Sequence, residues 1–161
     1  WPAGIELAAR VSERPPPPGT RVLELGCGLA LPSVAAARAG AQVLATDGAT
    51  DAVAFAAHVM ALNEVEGEVA HADWSTHGDA LVERGPFALV LAADVLYTKA
   101  NVDAALELFP RLVAPGGELW IADPNRAGAQ RFLAGFEVTT EPGEDVSLHR
   151  LRFGRRAVGH T

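Results

Sequence analysis

The alternation of short apolar runs with helix-like segments is the feature that most constrains the fold of this chain. Strands are indicated at residues 21–25, 42–46, 68–71, 87–93 and 118–122. Helices are indicated at residues 2–11, 31–39, 50–62 and 101–113, with Thr50 as the expected N-cap of the third. Strands separated by helices pair in parallel, because a crossover helix returns the chain to the same edge of the sheet. The pattern therefore predicts an α/β fold with a mostly parallel sheet.

Both ends of the chain depart from this alternation. Four prolines at residues 15–18, followed by Gly19, cannot continue a helix. Residues 1–19 are therefore expected to form an N-terminal helix and a Pro-rich connector ahead of a core of residues 20–161, within a single domain. Strand-like residues 136–140 and 146–153 flank a Pro-Gly turn, which predicts an antiparallel hairpin at the end of the sheet.

Composition and charge disfavour several classes of protein. The chain has 13 Lys and Arg against 20 Asp and Glu, a net charge of -7, which disfavours sequence-independent binding of nucleic acid. A single cysteine allows no internal disulfide, so a cytoplasmic location is expected. No apolar run approaches the ~20 residues of a membrane-spanning helix. The histidines lack the spacing of a metal site, so no metal is predicted. The pattern leaves the oligomeric state open.

A glycine-rich turn follows the first strand. Gly26 and Gly28, separated by Cys27, would let the backbone approach a ligand at the carboxyl edge of the sheet. Leu31 stands where a dinucleotide-binding turn has its third glycine, which disfavours a pyrophosphate ligand. Glu24 would repel a phosphate but attract a ligand with ammonium and sulfonium groups, such as S-adenosylmethionine. The alternative is that Glu24 is merely solvated.

Two further acidic residues follow the next two strands. Asp47 is placed to accept hydrogen bonds from two ribose hydroxyls, with helix capping as the alternative. Asp73 is a candidate partner of the adenine amino group, and Trp74 is either a cover for the adenine ring or a buried structural residue. The predicted cofactor-binding residues are Glu24, Gly26, Cys27, Gly28, Asp47, Gly48, Asp73, Trp74 and Ala92.

With these motifs, residues 21–153 resemble the class I, seven-strand S-adenosylmethionine-dependent methyltransferases. The resemblance implies a Rossmann-like, mostly parallel seven-stranded sheet with helices on both faces and a C-terminal antiparallel hairpin. It also implies that the methyl donor binds at the carboxyl edge of the sheet. One departure is Ala30, which occupies a position of the turn where the family more commonly has glycine.

Shorter matches narrow this resemblance. Asp94 and Tyr97 match the Asp-x-x-Tyr motif of the family-sixteen methyltransferases, many of which methylate protein lysines, and this implies that both are catalytic. Asp123 and Arg126 match an Asp-Pro-x-Arg stretch of bacterial nicotinamide-N-methyltransferase-like proteins, which are similar to the lysine methyltransferases of the electron-transfer-flavoprotein β-subunit. Trp1 matches a segment that those proteins place before the core. The resemblance thus implies that Trp1, Asp123 and Arg126 bind the substrate.

The predicted mechanism depends mainly on alignment, because methyl transfer is an in-line displacement. Asp94 is expected to accept hydrogen bonds from an amine and to stabilise its developing charge, with helix capping as the alternative role. The leading prediction is N-methylation of a lysine in a protein substrate. The alternatives are a small-molecule, nicotinamide-like N-methyltransferase and a non-catalytic module that binds S-adenosylmethionine.

Overall fold

The computed structural model describes residues 2–154, and in them strands alternate with helices along the chain. The strands are β1 (Arg21–Leu25), β2 (Gln42–Asp47), β3 (Glu68–His71), β4 (Phe87–Ala93), β5 (Val113–Asp123), β6 (Val138–Glu141) and β7 (Ser147–Arg152). The helices are α1 (Pro2–Glu13), α2 (Leu31–Arg38), α3 (Thr50–Leu62), α4 (Trp74–Arg84), α5 (Lys99–Leu112) and α6 (Ala127–Leu133). Within residues 2–154, no helix has the length and apolar character needed to cross a membrane.

The strands form one seven-stranded sheet in the order β3-β2-β1-β4-β5-β7-β6. Strands β1 to β5 pair in parallel, whereas β7 is antiparallel to both β5 and β6. The chain therefore places β2 and β3 on one side of β1 and then returns to place β4 on the other side. The predicted Rossmann-like sheet with its C-terminal antiparallel hairpin is confirmed.

Strand β4 shows why helices cover both faces of the sheet. Val90 and Ala92 belong to a core with residues of α4, α5 and α6. Leu89 and Leu91 belong to a second core, with residues of α1 and α2. Successive side chains of a strand point to opposite faces, so a continuous apolar run such as β4 requires cover on both sides.

Several local features differ from the sequence-based expectations. Helices α4 and α6 are not predicted by the sequence pattern, and β5 begins at Val113 rather than at residue 118. The expectation that Thr50 is an N-cap is wrong, because Thr50 is already the first residue of α3. The N-cap is Ala49, which has no side-chain capping hydrogen bond, and its own N–H group donates to Asp47 Oδ1 at 2.9 Å.

Helix α1 is tied to the C-terminal hairpin by an ion-pair network around Glu141. Arg10 of α1 lies 3.7 Å from the Glu141 carboxylate, whose two oxygens accept hydrogen bonds from the guanidinium of Arg14, the residue after α1, at 2.7 and 2.8 Å. Arg150 Nη2 lies 2.9 Å from the same carboxylate. The guanidinium groups of Arg14 and Arg150 also lie over the Trp120 ring, 5.5 and 5.9 Å from its centroid. The network joins the first helix to the last two strands.

Candidate active site

A cleft of about 830 Å³ lies at the carboxyl ends of the parallel strands. It sits where the strand order reverses between β1 and β4, the position at which open α/β sheets bind their ligands. The residues that line it are Gly26, Gly28, Asp47, Gly48, Ala49, Ala72, Asp73, Trp74, Ser75, Ala93, Asp94, Val95, Tyr97, Ala100, Asn101, Ala104 and Arg126.

The turn after β1 requires its glycines. Gly26 and Gly28 have φ angles of 61° and 50°, in the left-handed region that favours glycine. At Gly26 an added Cβ would also lie only 2.8 Å from Val95 Cγ1. Ala30 keeps a left-handed conformation, with φ of 54°, without glycine. Cys27 is buried and does not line the cleft, so only the two glycines of this turn border it.

Glu24 lies beneath this turn and outside the cleft. The residue is 1% exposed, and its Oε2 accepts hydrogen bonds from the N–H group of Ser33, at 2.9 Å, and from the Ser33 hydroxyl. Burial raises the pKa of Glu24 to about 8, so its carboxyl is largely protonated at neutral pH. The predicted attraction between Glu24 and a cationic ligand is therefore not supported by this geometry. Its position indicates a structural role beneath the turn.

The raised pKa of Glu24 makes stability depend on pH in a defined direction. The folded pKa, about 8, lies above the unfolded value of ~4.3, so the folded protein holds the extra proton between these values. The free energy of unfolding is therefore expected to fall as pH rises from about 5 to about 8, by up to about 1.4 kcal/mol per pH unit. Urea unfolding across this range measures it. Glu24→Gln, which cannot ionise, should flatten the profile.

The matched control is Glu83→Gln, which removes an exposed carboxylate on α4. It should leave the pH dependence of the wild type unchanged. A wild-type profile that is flat from about pH 5 to about pH 8, or a Glu24→Gln profile with the wild-type slope, would contradict the assignment of this proton to Glu24.

Asp47 joins the end of β2 to the glycine turn. Its Oδ2 accepts a hydrogen bond from the N–H group of Gly28 at 3.0 Å, and its Oδ1 accepts one from Ala49 at 2.9 Å. These two backbone donors fix the orientation of the carboxylate, and each oxygen retains a second lone pair. Gly48, which follows Asp47, also lines the cleft. Asp47 can thus shape the turn and still accept hydrogen bonds from a ligand.

Asp73 and Trp74 begin α4 at the end of β3. Asp73 is the N-cap of the helix, and its Oδ1 accepts hydrogen bonds from the Ser75 N–H group at 2.7 Å and the Ser75 hydroxyl at 2.5 Å. These hydrogen bonds hold the pKa of Asp73 below its usual value. Trp74 lines the cleft and also packs edge-on against Phe109, with ring centroids 5.1 Å apart. Trp74 can therefore both pack against the core and offer a surface to an adenine ring in the cleft.

Asp94 and Arg126 form an ion pair on the other side of the cleft. Arg126 Nε lies 2.6 Å from Asp94 Oδ1, and Arg126 Nη2 lies 3.1 Å from Asp94 Oδ2. Asp94 has a left-handed φ of 51°, and its N–H group donates to the Ala122 carbonyl at 2.9 Å. Its alternative role as a helix cap is wrong, since the Thr98 hydroxyl caps α5 by accepting from Asn101. A left-handed, non-glycine residue in a cleft is typical of functional sites.

One side of the cleft, next to the predicted Tyr97, includes three residues of α5 that the sequence pattern does not indicate. Tyr97 lines it with 63% of its surface exposed, and Ala100, Asn101 and Ala104 of α5 lie beside it. The Asn101 side-chain amide donates to the Val95 carbonyl at 2.9 Å, which fixes the segment between β4 and α5. The helical spacing of the two alanines directly after the Asp94 motif is the signal that could have identified this face.

Three other predicted residues do not line the cleft as described. Ala92 and Asp123 are fully buried, and Trp1 lies outside the described residues. Asp123 supports Arg126 indirectly, because its Oδ1 accepts a hydrogen bond from the Arg126 N–H group at 2.6 Å. Burial raises the pKa of Asp123. The predicted residues that do come together in the cleft are Gly26, Gly28, Asp47, Gly48, Asp73, Trp74, Asp94, Tyr97 and Arg126.

The groups in the cleft fit S-adenosylmethionine. Carboxylates at the ends of β2 and β3 can accept hydrogen bonds from hydroxyl and amino groups, Trp74 offers an aromatic surface, and the glycine turn exposes backbone. The volume, about 830 Å³, lies within the ~300–1,000 Å³ usual for such ligands. Fold and cleft together define a class of protein, the Rossmann-like S-adenosylmethionine-dependent methyltransferases.

Comparison with known proteins agrees with this class. The family model described as "Methyltransferase domain" matches residues 4–160, and the chain belongs to this family. The chain is 35% identical over 126 residues to the "Ubiquinone biosynthesis O-methyltransferase" of Xanthomonas axonopodis pv. citri (strain 306). That match covers 77% of this chain and 51% of the relative. The chain thus spans about half the length of the curated relatives it matches.

Solved structures show the same fold at low sequence identity. A 16S rRNA methyltransferase of T. thermophilus, solved with AdoMet and guanosine, has a TM-score of 0.79 and 19% identity, and the match covers 95% of this chain and 43% of that one. An O-methyltransferase family protein from Burkholderia thailandensis has a TM-score of 0.74 and 13% identity, with coverage of 96% and 56%. The finer resemblance to family-sixteen and nicotinamide-N-methyltransferase-like proteins is not confirmed by these comparisons.

Proposed function

We propose that this chain transfers a methyl group from S-adenosylmethionine to an oxygen atom of a small molecule. The observation that carries the proposal is the Asp94–Arg126 ion pair. Both oxygens of the Asp94 carboxylate are bonded to one guanidinium, at 2.6 and 3.1 Å. This part of the cleft therefore holds one negative and one positive charge, and it offers little net attraction for a lysine ammonium. A neutral hydroxyl group suits it better.

The similarity to a curated relative supports oxygen as the methyl acceptor. The relative from X. axonopodis is named for O-methylation in ubiquinone biosynthesis, and the similarity covers 77% of this chain. The lysine prediction assigns Asp94 to stabilise the positive charge that develops on an amine, whereas Asp94 already has a cationic partner. A small-molecule acceptor with oxygen as the methylated atom agrees with both the ion pair and the relative.

The residues divide into a donor side and an acceptor side. The donor side consists of the glycine turn, Asp47, Asp73 and Trp74, which would hold S-adenosylmethionine. When bound, that cofactor would supply the methyl group to the acceptor oxygen, with its sulfur as the leaving group that keeps the electron pair. On the acceptor side, Asp94 accepts a hydrogen bond from the acceptor hydroxyl and takes up the proton that is released. Alignment of the hydroxyl by Asp94 supplies the remaining catalytic effect.

A panel of acceptors tests this proposal. The protein is incubated with S-adenosylmethionine and, separately, with phenols, with nicotinamide and with a lysine-containing peptide mixture. Mass spectrometry then identifies the methylated atom, and release of S-adenosylhomocysteine measures turnover. Methylation of a phenolic oxygen is the expected result. Methylation confined to lysine or to the pyridine nitrogen would overturn the proposal, as would binding of the methyl donor with no turnover on any acceptor.

A further inference from the structure

Arg126 is the only Arg, Lys or His among the cleft-lining residues in the described part of the chain. Its Nε and Nη2 atoms are bonded to Asp94 along one edge of the guanidinium. No residue in the range 2–154 accepts a hydrogen bond from its Nη1 atom. A guanidinium carries five N–H donors in one plane, so the edge between Nη1 and Nη2 keeps two roughly parallel N–H groups. The Arg126 side chain is 45% exposed, which leaves this edge open to a ligand.

Two contacts hold Arg126 in place before any acceptor binds. The ion pair with Asp94 fixes its side chain, and the buried Asp123 fixes its backbone by accepting its N–H group at 2.6 Å. Asp94 is itself tied to β5 through the Ala122 carbonyl. A guanidinium held in this way loses little conformational entropy on binding, and preorganisation of this kind increases affinity.

We propose that Arg126 is a specificity-determining residue whose free edge binds a carboxylate group of the methyl acceptor. This inference rests on the proposed function, since it concerns the acceptor side of the same cleft. A planar carboxylate can accept two parallel hydrogen bonds from a guanidinium edge. Phosphate has the same general chemistry but carries close to two negative charges at neutral pH. Asp94 lies on the same guanidinium and repels a dianion more strongly than a monoanion, which favours a carboxylate.

Matched acceptors that differ in one charged group test this inference. The acceptors are meta-hydroxybenzoate, meta-hydroxybenzamide and meta-hydroxyphenyl phosphate, compared by kcat/KM. We expect the wild type to prefer the benzoate to the benzamide by about 10- to 100-fold, mainly through KM. Arg126→Gln should bring this ratio close to one, and Arg126→Lys, which keeps the charge but not the planar edge, should retain part of it. Loss of the ion pair with Asp94 could slow turnover of every acceptor equally, and such a change cancels in the ratio of the two kcat/KM values.

A control variant and a binding measurement complete the test. Arg131→Gln removes an exposed arginine of α6 that pairs with Asp103 and does not line the cleft, so it should keep the wild-type ratio. Calorimetry with benzoate and benzamide, on protein saturated with S-adenosylhomocysteine, should show the same preference without turnover.

Equal methylation and equal binding of acid and amide would overturn the inference while leaving the proposed function intact. A preference for the phosphate over the benzoate would also overturn it. If benzoate binding depends on Arg126 but no oxygen is methylated, the inference about Arg126 is supported and the proposed function is overturned.

Discussion

Asp47→Ala is expected to weaken binding of S-adenosylmethionine by about 100-fold. Asp47 would accept hydrogen bonds from ligand hydroxyls, and hydrogen bonds to a charged group contribute about 1.5–3 kcal/mol each. The carboxylate also binds the N–H groups of Gly28 and Ala49, so its removal frees the glycine turn at the same time. A free-energy loss of about 2.8 kcal/mol corresponds to that factor. Isothermal titration calorimetry measures the dissociation constant directly.

Asp51→Ala is the control for this prediction. Asp51 lies in the first turn of α3, is exposed and does not line the cleft, so the same chemical deletion should leave the affinity unchanged. An Asp47→Ala variant that is folded and binds S-adenosylmethionine as tightly as the wild type would rule out the ribose assignment.

Asp94→Asn is expected to lower kcat by about 100-fold or more while leaving the affinity for S-adenosylmethionine within about twofold. The amide cannot take up the proton of the acceptor hydroxyl, and loss of a general base usually costs at least this factor. Asparagine is preferred to alanine because Asp94 has a left-handed φ of 51°, a conformation that asparagine tolerates well. Steady-state kinetics with a phenolic acceptor give kcat, and calorimetry gives the donor affinity.

Asp103→Asn is the matched control for Asp94→Asn. Asp103 is an ion-paired aspartate on α5 that bonds Lys99 and Arg131 and does not line the cleft. Its substitution should leave kcat unchanged. A wild-type kcat for Asp94→Asn would show that Asp94 is not catalytic. An equal loss of kcat in both variants would indicate a general effect of the substitutions on the folded structure.

The strands could be predicted from the sequence because their apolar runs are uninterrupted. Strand β4 occupies Phe87–Ala93, the same residues that the pattern indicates, since both of its faces are buried. Helix α4 is not indicated by the pattern because it carries few apolar residues: Leu81 is its only buried residue, and Gly78 interrupts it. The expected N-cap at Thr50 is wrong because α3 begins one residue earlier than that role requires: Ala49 is the N-cap, and no side chain accepts a capping hydrogen bond from the first turn.

The acidic residues of the cleft could also be predicted, because the carboxyl ends of parallel strands meet at one edge of a sheet. Asp47, Asp73 and Asp94 each stand at such an end and line the same cleft. The pairing of Asp94 with Arg126 could not be derived from residue spacing, because the two are 32 positions apart and meet only when β4 and β5 are neighbours. The burial of Glu24 depends likewise on where α2 brings Ser33.

The reversal of strand order between β1 and β4 gives the two halves of the reaction separate stretches of chain. Residues 26–75 supply the groups that would hold the methyl donor, whereas residues 93–126 supply those that would meet the acceptor. Substitutions near Asp94 and Arg126 could therefore change which molecule is methylated and leave the donor side untouched. Acceptor specificity is therefore expected to change through substitutions at individual cleft positions of residues 93–126, because exchange of the whole segment would also replace α5 and β5, which contribute to the core.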